Sequence, residues 1–157
     1  MAEAELQSDR QMERLLEFLY VAPVALIEFR RSGELVMANP RVAQLFNRFA
    51  PGGYFANVFS FLDDVLPELR AAIEAFVPEH GQIMENRRYA LCVPGGQGDE
   101  TLWMDVTVMR QEADRYIASL NNVTQQVLTE RENHLRGQKL QSIVGAVSDH
   151  AIFTADG

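Results

Sequence analysis

The sequence has one cysteine, one tryptophan and, among its 14 basic residues, a single lysine, Lys139. A lone Cys92 excludes an internal disulfide and any Cys-rich zinc site. No long apolar run occurs. The longest, Tyr20 to Ile27, falls far short of the roughly 20 residues that a membrane-spanning helix needs. The opening MAEAELQSDR has no basic stretch leading into an apolar core, so no secretory signal is expected. These absences lead us to expect a cytoplasmic protein without a membrane segment. Positive charge is also scarce: 14 Lys and Arg stand against 22 Asp and Glu, a formal charge of -8. The cations are scattered, with Arg30-Arg31 and Arg87-Arg88 as the only doublets. A general nucleic-acid binder needs clustered cations to meet phosphates, so that class is disfavoured. What remains is 157 residues, 47% apolar and 23% charged. That suits one domain with a core of its own, plus extensions.

The periodicity then divides the chain. Met12, Leu15, Leu16 and Leu19 fall at helical spacing, with charged residues on the other faces. Residues 1–21 are expected to hold an amphipathic helix capped at Ser8 or Asp9 and stopped by Ala22-Pro23. Val24 to Phe29 and Leu35 to Ala38 are apolar runs around a Gly33 turn and predict a β-hairpin. Asn39-Pro40 predicts a helix start, with Asn as cap and Pro at the first helical position. Val42, Leu45 and Phe46 would face inward. A longer stripe runs through Leu62, Val65, Leu66, Leu69, Ile73 and Phe76, with the regular helix beginning near Pro67. From Gln82 the period changes to two. Ile83–Val93, Thr101–Met109 and Tyr116–Leu120 read as three strands with short links, an antiparallel meander. Asn122 stands three residues before Gln125, a capping-box spacing, so a largely polar helix should leave there and run to about Val147. The segment 148–157, with Ala151 to Thr154, echoes the strand that follows the first helix.

Helix, hairpin, helices, meander and exit helix, in that order, resemble a PAS domain. The residues carrying the likeness are Ala38-Asn39-Pro40 after the hairpin, Leu120-Asn121-Asn122-Val123-Thr124 at the exit, and Ala151 to Gly157. The exit resembles the Asp-Ile-Thr motif that closes many bacterial PAS domains, with Asn122 in place of the Asp. The resemblance covers Ala22 to Asn122 and both flanking helices. It implies an α+β fold: a five-stranded antiparallel sheet with helices on one face, between an N-terminal amphipathic helix and a C-terminal signalling helix. It also implies the division 1–21, 22–122, 123–147 and 148–157, the last being the first strand of a second PAS domain. Its implied apolar cavity would be lined by Ile27, Leu45, Phe46, Val58, Phe59, Leu69, Ile73, Leu91 and Trp103. The resemblance admits flavin or haem, and no residue pattern requires either.

Several residue types invite a chemical reading. Light-oxygen-voltage members of the family bond flavin through a Cys in an Asn-Cys-Arg-type helix motif. Cys92 lies near a strand end instead and reads as a small buried hydrophobe. His80 follows a helix next to Gly81 and reads as a solvated loop residue rather than a haem ligand. His134 lacks the acid and the Arg-Thr-Pro that a phosphoacceptor helix carries. Asp63-Asp64 are adjacent and read as complementing the amide dipoles of a helix's first turn. Gly95 to Gly98 lie between strands, whereas a phosphate-cradling loop opens a helix. Trp103 shares a strand face with Asp105 and Thr107. Pointing in, it would stack on a planar ligand; pointing out, it would pack against a helix or a second subunit.

No catalytic or metal constellation emerges, so the expected function is a sensory and dimerisation module. Two copies would pair through Met12, Leu15, Leu16 and Leu19. A stimulus or small ligand would shift the sheet, and Asn122, Thr124 and Gln125 would pass that shift to the exit helix. A downstream domain in cis, of histidine-kinase or cyclic-di-GMP type, would respond. Two alternatives stand beside it: a ligand-free dimerising spacer, and a small α+β isomerase using Asp105, Tyr89 and Tyr116.

Overall fold

The structure is a computed structural model that describes residues 1–49, 56–93 and 100–155, and the side chains among these except Phe61 and 147–155. Two compact units divide it, Met1–Asn122 and Val123–Gly157.

In the first unit, α1 spans Ala2–Val21. It begins earlier than the Ser8 or Asp9 cap predicted. Ala, Glu and Leu at the start are strong helix formers and nothing interrupts them. The hairpin is present as β1 (Ala25–Phe29) and β2 (Leu35–Ala38). Gly33 makes its turn at φ 86°, where a side chain would also collide with Asn57 and the Phe59 ring. The Gly33 carbonyl accepts from Val58 N–H at 2.7 Å, which ties the turn to α3 (Val58–Val65). Between them, α2 (Pro40–Phe46) buries Val42, Leu45 and Phe46 as the stripe predicted.

Pro67 divides the longer stripe into α3 and α4 (Pro67–Ala75), because Pro cannot extend the hydrogen-bonding of the preceding turn. Asp63 and Asp64 therefore occupy the last turn of α3, not the first, and the dipole reading fails. Asp63 is instead held by Arg70 of α4 at 2.6 Å. The meander follows as β3 (Gly81–Cys92), β4 (Thr101–Glu112) and β5 (Arg115–Asn122).

All five strands form one antiparallel sheet in the order β2-β1-β5-β4-β3. Strict alternation along β4 gives it two faces. Leu102, Met104, Val106 and Val108 join Ile27, Phe29, Tyr116, Ala118 and Leu120 on the inner face. Residues of α2, α3 and α4 complete the same core. Phe29 is its hub, stacked on Tyr116 at 5.6 Å and edge-on to Phe59 at 6.2 Å.

The second unit is one helix, α5 (Thr124–Ala155). Val123 and Val127 are buried, while Leu128, Leu135, Leu140, Ile143 and Val144 are exposed. Helix continues through 148–155, where a strand was expected. A strand needs a neighbour to pair its backbone, whereas a helix satisfies its own.

Candidate functional site

Eight of the nine cavity candidates come together. Ile27, Leu45, Phe46, Val58, Phe59, Leu69, Ile73 and Leu91 belong to one buried cluster between the inner sheet face and the helices. Trp103 does not join them. It alternates with Leu102 and Met104 and so lies on the outer face, opposite Ala90 of β3. Its place in the cavity is withdrawn. Cys92, opposite Thr101 at the end of the β3–β4 ladder, is exposed rather than buried. It alternates with Leu91, which is buried in the core, so its side chain takes the outer face of the sheet. His80 is exposed as predicted, and His134 is exposed on α5. The Gly95–Gly98 loop and the side chain of His150 lie outside the described residues. No group of three or more His, Cys, Asp or Glu among the described residues could hold a metal ion.

The isomerase set does not converge. Tyr116 is buried on the inner face, while Asp105 faces outward and is held by both Nε and Nη2 of Arg88, at 2.7 and 3.0 Å. That bidentate bond holds the Asp105 carboxyl below its ordinary value. Tyr89 is engaged by Glu68 at the start of α4, its hydroxyl donating to that carboxylate. Arg87 donates to the same oxygen at 3.1 Å. The Tyr89 bond first, and the Arg87 bond second, hold the Glu68 carboxyl below its ordinary value. Partial burial, reinforced by the bond to Glu68, pushes the Tyr89 phenol up. This trio clasps α4 to β3.

Asn39 has a larger role than the expected cap. It occupies the cap position of α2 without a side-chain capping bond. Its amide instead donates to the carbonyls of Leu19 at 3.2 Å and Val24 at 2.8 Å, and its oxygen accepts from Leu26 N–H at 3.0 Å. Leu19 lies in the last turn of α1, where carbonyls lack helical partners. Asn39 thus ties α1, the Ala22-Pro23 link and β1 together. Above this tie, the end of α1 and the outer face of β1, β2 and β5 enclose an apolar groove of about 310 Å³. Leu16, Leu19, Tyr20, Leu26, Met37 and Ile117 are among its walls. Arg115 and Glu28, paired at 2.7 and 3.3 Å, close one end.

Along α1 no residue is buried. Met12, Leu15 and Leu16 are exposed by 58%, 55% and 51%, and Leu19 is half-buried. At the end of the sheet where β1 begins, Asn122 closes β5 opposite Met104. Val123 separates it from Thr124, where α5 begins. The ladder with β4 holds Asn122 in the strand, two residues before α5 begins. The backbone carbonyl of Gln125 accepts from the Thr129 hydroxyl at 2.9 Å.

No protein-family model matches the chain, and no curated protein is significantly similar to it. Solved structures are similar. The photoactive yellow protein domain of the sensor histidine kinase Ppr from Rhodospirillum centenum is 18% identical, with a TM-score of 0.43 over 68% of this chain and 91% of that one. The PAS domain of an HTR-like protein from Haloarcula marismortui is 14% identical, with a TM-score of 0.54 over 78% of this chain and 99% of that one. That likeness spans nearly the whole of the second domain, and the sheet and helices described above follow the same plan. The chain has the PAS fold.

Proposed function

We propose that this chain is a sensory and dimerisation module of a signalling protein. Two copies pair through α1, burying Met12, Leu15, Leu16 and Leu19. A stimulus or small ligand acts on the inner core and moves the sheet slightly. The end of β5 passes the movement through Asn122 to Thr124 and Gln125. The exit helix α5 then changes its arrangement with that of the second copy, and a downstream domain in cis responds. The stimulus has to favour one arrangement over the other, since equal affinity for both transmits nothing.

The observation that carries this reading is the bare apolar stripe of α1 beside an apolar groove. A surface of that kind is covered in solution more often than not. Removing residues 1–20 is expected to weaken self-association at least tenfold, measured by sedimentation or light scattering against concentration. A truncated chain that dimerises as tightly as the parent would overturn the α1 interface.

The ligand-free spacer is favoured by one observation, the gathering of eight cavity candidates into a continuous buried cluster. An absorption spectrum and mass spectrometry of the purified chain separate the two. A stoichiometric small molecule supports the sensor, and none supports the spacer.

A further inference from the structure

A second crevice opens where the inner core reaches the surface, next to the Pro23 link that follows α1. It sits at the end of the sheet where β1 begins and β5 ends, under the outward side of α2. Its volume is about 260 Å³. The floor is apolar, made by Leu45 and Leu120, both buried. The rim is cationic and polar: Arg41, Gln44 and Arg48 come from α2 and the turn after it, and Asn122 from the last position of β5. In a chain with eight more acids than bases this pairing of guanidinium groups stands out. Arg41 donates to Gln44 Oε1 at 3.1 Å, a neutral acceptor. No carboxylate lies within ion-pair distance of it among the described residues. Arg48 meets Glu100 at 3.5 Å, with both side chains about half exposed, and such a pair contributes little.

We propose that this crevice binds a small monocarboxylate with a short apolar body. The carboxylate would displace the weak partners and take charge-assisted bonds from Arg41 and Arg48, whose planar forks match it. The apolar body would cover Leu45 and Leu120. The volume is below that of pockets for drug-sized ligands, about 300–1,000 Å³, so the ligand is short. An inorganic anion would leave the floor uncovered, and a neutral alcohol would leave the guanidinium groups unmatched. The site adds a ligand to the sensory reading without depending on it, since binding is read on the chain alone.

The test is a titration of the 157-residue chain with hexanoate, followed by backbone amide resonances. Saturable shifts are expected at Leu45, Leu120 and Asn122. The double variant Arg41→Gln, Arg48→Gln changes only exposed side chains, and its affinity for hexanoate is expected to fall about tenfold or more. Hexanol and inorganic phosphate, as separate arms, are expected to give no saturable shift there. The proposal is overturned if the parent chain shows no saturable shift with hexanoate, if hexanol or phosphate matches it, or if the double variant binds as tightly as the parent.

Discussion

Asn39 shows how much one side chain can organise. Its amide satisfies a helix-end carbonyl, a linker carbonyl and a strand N–H, which belong to segments 13 to 20 residues away. Truncating it leaves three partly buried backbone groups without their partner. Each unmet buried group costs about 1–3 kcal/mol, discounted where water can reach it. We expect Asn39→Ala to lower unfolding stability by about 1–3 kcal/mol in a denaturant titration. Asn39→Asp keeps one acceptor and loses both donors, so it should not rescue. A variant as stable as the parent would show that the amide bonds carry no weight. The sequence placed this residue correctly beside Pro40 but assigned it the wrong partners. A capping preference is local, whereas the carbonyl of Leu19 comes within reach only after the chain folds. The same limit hid the Arg115–Glu28 pair, whose members are 87 positions apart. It also hid the side of the sheet that Trp103 takes.

At the scale of elements, the strands were legible because alternation and turn residues are written locally. Leu102 to Val108 alternate without a break, and Gly33 marks the turn of the hairpin. Element boundaries were less legible. The first helix reached back to Ala2 because good helix formers need no cap to begin, and 148–155 stayed helical although its composition suits a strand. The step from β5 to α5 matters most for the relay. Proline at Asn122 would remove the N–H and fix φ at the last position of β5, two residues before α5 begins. We expect Asn122→Pro to uncouple output from stimulus in a full-length signalling protein while the sheet keeps its circular-dichroism signature. Normal switching in that variant would remove Asn122 from the relay.

For the whole molecule, acid stability follows from two carboxylates held below their ordinary values, Glu68 by Tyr89 and Arg87 and Asp105 by Arg88. Each group has a depressed value when folded. Its contribution is therefore complete above the unfolded-chain value, about 4, and is lost as pH falls through the folded value. Comparing the parent chain with Glu68→Gln at several pH values should give a stability gap that is widest near neutrality and closes in acid. A gap that persists unchanged into acid would mean that the trio does not act through charge. The sheet order has a further, mechanical consequence. The first strand and the last are neighbours, with Ala25 opposite Leu120, so the start of one and the finish of the other are gripped side by side. Stretched by its two termini in an optical trap, the domain should unzip one hydrogen bond at a time and yield at a lower force than when pulled across the sheet.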